Sequence, residues 1–294
     1  MKTSPPIIAA VDFSSASGQV LAHGAKLAAA SGCPLVAVHV IGEGRLRDWS
    51  ETTGREASGL DRMEELTRRL HELVLESCEG VEAEIQVRLG KPQRMLGEIV
   101  RELGADLLVI GAHDVSRRRL GSVAAWCARA IHSDVLILRD WQSRFFRKIA
   151  AGVDFSKSSA ATLDRAISIA SAHQASLEII HVMFPPTRDP WGKVLDQPMD
   201  SSVSYETMIR ERARTRLDSF LKPYADRLSL IQSTRVFLEA ESPAAAIIAH
   251  VDAVEIDLTV MGSREGSWVA DFVLGSNTER LLHDSVSSVL ITRE

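Results

Sequence analysis

Two aspartates, two histidines and two glycine–serine pairs fall at matched spacings in this chain, and most of them are residue types that hold a phosphorylated ligand. Asp12 and Asp154 each follow a short apolar run, within the string VDFS at Val11–Ser14 and Val153–Ser156. Gly111 and Gly262 each close a later apolar run, and Gly121–Ser122 and Gly275–Ser276 stand a little beyond them. A glycine lets backbone approach an anion without a Cβ in the way. Free backbone N–H groups and the dipole at the start of a helix favour a phosphate there. Arg117, Arg118 and Arg119 lie between Gly111 and Gly121 and attract an anion by charge. His39 and His181 follow Val11 and Val153 by 28 residues each. A repeated histidine at a strand end either contacts a base or a metal, or is a hydrogen-bonded part of the core; the second is the commoner role.

Other chemistries have no comparable signature. The chain carries no GxxxxGK[ST] loop, no GxSxG elbow and no HExxH pair. No His, Cys, Asp and Glu set has zinc-ligand spacing, so no metal ligand is assigned. The expectation is therefore a binder and not an enzyme. Cys33, Cys78 and Cys127 are scattered, with no CxxC, which fits packed, reduced thiols and a cytoplasmic address. The apolar stretch before Asp12 is too short for a secretory signal, and no run approaches the ~18 apolar residues of a membrane span. The formal net charge of −5 supplies no overall field for nucleic acid. The expected partners thus include neither nucleic acid nor membrane.

The elements that position these residues come from a duplication. DLLVIGAH (Asp106–His113) matches DLTVMGSR (Asp257–Arg264), and each Gly–Ser pair stands 14 residues before a closing strand, VLILR from Val135 or VLITR from Val289. The offset between copies is 142 residues at the first two anchors, 151 at the third and 154 at the fourth. The nine-residue surplus is assigned to the Pro-rich stretch FPPTRDPWGKVLDQPMD. Within the first half, strands are expected at Pro6–Phe13, Pro34–Ile41, Val81–Leu89, Asp106–Gly111 and Val135–Arg139. Ser14 is expected to cap the first helix, Leu60–Cys78 has helical periodicity, and Pro92 opens a helix to Leu103. Continuous apolar strands alternating with helices give an α/β fold of two tandem doubly wound, Rossmann-like domains, 1–140 and 148–294. Each has a five-stranded, mostly parallel sheet flanked by helices. Trp141, Phe145 and Phe146 in the junction predict a linker packed between them.

On these anchors the chain resembles the universal stress protein family along nearly its whole length, twice. That family has a five-stranded α/β domain with an Asp ending the first strand and the loop pattern G-x2-G-x9-G-[ST] after the fourth. The resemblance implies ATP, with Mg²⁺, as ligand: the first two strand ends surround the adenosine and the loop holds the phosphates. Carried over, the contact set is Asp154, Val182, Met261, Gly262, Gly275, Ser276 and Asn277 in the second half. Its degraded counterpart is Asp12, Val40, Gly111, Gly121 and Ser122. The middle glycine of the pattern falls on Glu265, beside Gly266, in the second copy. In the first copy it falls on Asp114, in a loop three residues short. The family pairs through last strands, which implies a pseudo-dimer within the chain and association of two chains as a homodimer. Two functions follow: a regulatory binder of ATP or a related nucleotide in the second domain, acting in a stress response, or a nucleotide-independent interaction module. In the second case the same residues are turns and caps. Trp268 in the second loop suits either a ligand cover or an interface.

Overall fold

The computed structural model describes residues 4–42, 59–112, 120–139, 145–185, 205–263 and 274–293. Asp114, Arg117–Arg119, Trp141, Glu265, Gly266, Trp268 and most of the Pro-rich stretch lie outside the described residues.

Five apolar segments in each half become parallel strands. In the first half these are β1 (Ile7–Val11), β2 (Leu35–Ile41), β3 (Ala83–Leu89), β4 (Leu107–Gly111) and β5 (Asp134–Leu138). They alternate with α1 (Ser17–Ser31), α2 (Gly59–Ser77), α3 (Pro92–Leu103) and α4 (Ser122–Ala130). The second half repeats this with β6 (Lys148–Gly152), α5 (Lys157–His173), β7 (Ser176–Met183) and α6 (Tyr205–Leu221). It continues through α7 (Ala225–Leu228), β8 (Ser233–Glu239), α8 (Pro243–Ala253), β9 (Leu258–Gly262), α9 (Ser276–Asp284) and β10 (Ser288–Thr292). β1 and β5 are buried along their whole length, as strands covered on both faces must be. β3 and β8 are the half-exposed edges, which accounts for their polar character. Among the described residues no helix is long and apolar enough to cross a membrane.

The two five-stranded sheets are joined into one of ten strands, ordered β3-β2-β1-β4-β5-β10-β9-β6-β7-β8. Neighbours run parallel except at the centre, where β5 and β10 are antiparallel and Leu136 faces its own equivalent, Leu290. A pseudo-twofold axis therefore passes through the seam. Arg139 follows β5 and donates from Nε to the Ser287 carbonyl (3.1 Å) and from Nη2 to the Leu282 carbonyl (3.1 Å). Arg293, its equivalent after β10, donates to the carbonyl of Ala128, which is the equivalent of Leu282. Each half thus places an arginine on the carboxyl end of the other's last helix, where carbonyls lack intrahelical partners. Arg165 on α5 crosses the same boundary to Asp134 (2.7 Å) and Asp106 (2.8 Å).

The described part of the junction, which holds Phe145 and Phe146, packs as expected from its aromatics. Phe146 is fully buried in an apolar cluster that includes Leu136 and Leu138 from one half and Leu163 and Ile167 from the other. Covering such a side chain is worth about 1.5–3 kcal/mol. Its ring lies 4.4 Å from that of His23 on α1 and 4.9 Å from that of His173 on α5, and the two imidazoles stack at 5.1 Å.

Two local expectations are corrected. Ser14 does not cap α1: the N-cap is Ala16, with no side-chain bond, because the chain takes an extra turn in which Ser17 N–H reaches the Ser14 carbonyl (3.1 Å). Ser156 does cap α5, accepting from Ser159 N–H. The nine-residue surplus is also split. Leu70 and Leu217 are equivalent, both fully buried, and stand 147 residues apart, so five extra residues precede α6. The rest lie between α6 and α8, around the turns at Lys222–Leu228 that have no counterpart in the first half.

Candidate functional site

Strand order reverses beside β1 and beside β6, and an open parallel sheet leaves a crevice at that point, beyond the carboxyl ends of its strands. Each half has a cavity there. The cavity of the second half, about 570 Å³, is walled by the ends of β6, β7 and β9, by the first turns of α5 and α9, and by α6. That of the first half is about 390 Å³. Both volumes lie in the range of small-molecule sites.

Asp154 is set at the end of β6 by a turn it makes for itself. Its Oδ1 accepts from Ser156 N–H (2.9 Å) and Ser159 Oγ (2.6 Å). Burial acts to raise its carboxyl, but the bonds from Ser156 and Ser159 outweigh it and hold the group below the ordinary carboxylate value. Asp12 makes the same turn with Ser14 N–H (2.9 Å) and a longer contact to Ser17 Oγ (3.4 Å). The residue after each aspartate is a phenylalanine in the left-handed region, Phe13 at φ 62° and Phe155 at φ 65°. Such backbone is strained for a bulky side chain and is held only by the surrounding packing. That packing is visible: Phe155 lies 4.3 Å from His181 with the Arg216 guanidinium 4.7 Å above its ring. Phe13 has His39 at 4.4 Å and Arg69 at 4.4 Å.

The histidines are tied to the same turn. His39 Nδ1 bonds the Val11 carbonyl (2.8 Å) and His181 Nδ1 bonds the Val153 carbonyl (2.9 Å). A carbonyl only accepts, so both rings carry the Nδ1 proton. Burial lowers His181, with Arg216 adding to the effect and Asp154 and the Val153 bond opposing it. Both histidines are thus hydrogen-bonded through Nδ1, and both also line the cavity of their half.

Of the expected contact set, Asp154, Val182, Met261, Gly262 and Asn277 line the second cavity, with Gly275 and Ser276 just outside its described lining, at the entry to α9. In the first half Asp12, Val40 and Gly111 line the cavity, and Gly121 and Ser122 stand just before its lining residues Val123 and Ala124. The N–H groups of Gly121 and Gly275 are not free as expected: they close their loops onto Ala112 O (3.0 Å) and Ser263 O (2.9 Å). The remaining N–H groups of the first turn of α9 lack intrahelical partners and are the ones a phosphate would meet. Gly262 has a packing reason as well, since a Cβ there would come within 3.0 Å of Ser158 Oγ. Asn277 Oδ1 accepts from Ala244 N–H (3.0 Å) at the start of α8, and Thr278 Oγ1 donates to the Gly262 carbonyl (2.7 Å).

The model of the Universal stress protein family matches residues 4–139 and again residues 145–293. The chain belongs to the universal stress protein family. It is a tandem member, with two copies sharing one sheet. Universal stress protein A homolog 1 of Coxiella burnetii is 26% identical over 150 residues, covering 49% of this chain and 94% of the relative. Universal stress protein YxiE of Bacillus subtilis is 27% identical over 150 residues, covering 50% and 99%. The crystal structure of a universal stress protein from Archaeoglobus fulgidus superposes over 98% of both chains with a TM-score of 0.66 at 19% identity, a likeness of fold.

Sequence reasoning on this universal stress protein missed Phe155, Thr278, Arg212 and Arg216, all of which line the cavity. Phe13 and Phe155 were within reach, because they recur inside the VDFS repeat. The arginines were not, because α2 and α6 share no local motif that fixes their relative register.

Proposed function

We propose that the chain is a regulatory nucleotide binder acting in a stress response, and not an enzyme. The cavity of the second half takes ATP or a related nucleotide together with Mg²⁺. The reading is carried by one observation: Asp154, Val182, Met261, Gly262 and Asn277, chosen from four separate stretches of sequence, meet around one cavity at the strand-order reversal. The apolar wall of Val182, Met261 and Ile247 suits a base, and the start of α9 suits phosphates. No step of bond cleavage is assigned, because the Asp154 carboxylate is occupied by Ser156 and Ser159 and is a turn-former, not a free base. Binding would act by favouring one arrangement or assembly of the paired halves.

Calorimetric titration of nucleotide-stripped protein with ATP and Mg²⁺ tests this, with one site per chain expected. Gly275→Asp should abolish the heat while leaving the fold intact. Gly275 has φ −58° and ψ 147°, open to any residue, and aspartate is a favourable N-cap whose charge repels phosphate. Ligand at about 100 times its dissociation constant should also add about 2.7 kcal/mol of stability. No heat and no thermal shift would refute the reading. They would favour a ligand-free interaction module, for which Asn277 as a cap and Gly262 as a packing glycine are sufficient.

A further inference from the structure

Resting on that nucleotide reading, we infer that the second cavity takes a nucleotide with a second anionic group, held by Arg212 and Arg216 on α6. The helix carries four arginines in alternation. Arg210 pairs with Glu239 (3.1 Å) and Arg214 with Glu211 (2.8 Å). Arg212 and Arg216 line the cavity instead, and among the described residues neither meets a carboxylate or a hydrogen-bond acceptor. They stand at i and i+4, where like charges repel and destabilise a helix. The cavity's own carboxylate, Asp154, forms no ion pair with either, its Oδ1 being held by Ser156 and Ser159. Two cations without an ion-pair partner, held at one wall with Arg216 over Phe155, make a site for an anion supplied by the ligand.

The first half provides the control. Leu70 and Leu217 set α2 and α6 in register, and Arg69 over Phe13 is the equivalent of Arg216 over Phe155. In that register Arg212 corresponds to Glu65, which is paired with Arg62 (2.7 Å). The described lining of the first cavity holds no arginine. One of the two charges is thus reversed between the equivalent helices, and of the two cavities only the larger has arginines in its described lining.

The pair is not placed to serve the phosphates at α9. β7 and β9 flank β6 on opposite sides, and the Arg210–Glu239 bond puts α6 on the β8 side of the cavity. A ligand that satisfies both walls carries two phosphates on separate positions of its ribose, as in a nucleoside 3′,5′-bisphosphate. The probes are adenosine 5′-monophosphate and adenosine 3′,5′-bisphosphate, titrated calorimetrically at one ionic strength. The wild type should bind the bisphosphate about tenfold more tightly or better, the scale of one to two charge-assisted hydrogen bonds. In Arg212→Gln/Arg216→Gln that ratio should fall to near unity, whereas Arg214→Gln, on the paired face, should keep it. Glutamine is a good helix former at these exposed positions, so the fold should hold. Equal affinities in the wild type, or a preference that survives the double substitution, would overturn the inference and leave the nucleotide reading standing. Binding of ATP but of neither probe overturns the inference alone, and binding of none of the three removes both.

Discussion

Acidification from pH 7.5 to 5 should cost this protein about 4 kcal/mol of stability through two histidines at the junction of its halves. His23 and His173 are buried against Phe146. Burial lowers His23 to about 3, with the charges of His173 and Lys26 adding to it. Burial lowers His173 to about 4, with Lys26 again contributing. The geometry agrees: His173 Nδ1 accepts from Phe146 N–H (3.3 Å), a bond available only while that nitrogen is unprotonated. Among the described residues His23 Nδ1 and His173 Nε2 have no hydrogen-bond partner, so a proton's charge there would go uncompensated. Both values are depressed in the folded state, so the unfolded chain binds more protons below its ordinary value of 6.5. Stability is therefore complete above that pH and falls as pH drops, levelling only below the folded values. At pH 5 the unfolded imidazole is about 1.5 units below its midpoint and the folded one is still neutral. At about 1.4 kcal/mol per unit this is about 2 kcal/mol for each histidine. Urea unfolding of the wild type and of His23→Leu/His173→Asn at both pH values isolates the effect. Asparagine retains an acceptor for Phe146 N–H, and carboxylates such as Asp154 titrate alike in both proteins. The wild type should lose about 4 kcal/mol more than the variant. Equal losses would show that the rings are solvated or paired, and the argument from burial would fail.

Two further perturbations probe the seam and the site. Arg139→Leu leaves the Leu282 and Ser287 carbonyls without their donor, and should destabilise the protein by about 2–4 kcal/mol in chemical denaturation. An unchanged midpoint would mean that the cost of burying the guanidinium cancels its bonds. In Gly152→Ala the new Cβ would collide with Met261 Sδ, so the flexible Met261 side chain must shift within the cavity it lines. ATP affinity should fall several-fold, with a stability loss of about 1 kcal/mol as the thioether readjusts; unaltered affinity would place the ligand elsewhere.

The strands and their order of use were legible because buried parallel strands write themselves as unbroken apolar runs, LLVI and VLIL among them. The seam was legible only through the family resemblance. Nothing local in VLILR or VLITR states that β5 meets β10, although the closing arginine of each string is the residue that bonds across it. The glycines and aspartates stood out because turns demand special residue types. What those residues bond to did not stand out: Asn277 caps α8 from 33 positions away, and the Gly275 N–H is spent on Ser263. Arg212 and Arg216 were hidden for a simpler reason. The offset between halves changes from 142 to 151 across the very segment that contains α6, and only the burial of Leu217 fixes where that change occurs.

The pattern of likeness between the halves has a physical source. A pseudo-twofold contact uses the same surface twice, so Leu136 with Leu290, and Arg139 with Arg293, each need their equivalent on the other side. A change in one copy breaks a contact that both halves make. The linker, however, exists once and can run on only one side of the axis. His23 and Arg165 occupy equivalent positions on α1 and α5, yet His23 meets Phe146 from the linker, while Arg165 meets Asp134 and Asp106. Symmetry is therefore broken first where the single linker passes. The cavities lie away from the seam, beyond the ends of strands that do not cross it, so each is open to change without a matching change in the other. Glu65 on α2 and Arg212 on α6 are such a divergence: Arg212 lines the cavity of its half, whereas the described lining of the other cavity takes no residue from α2.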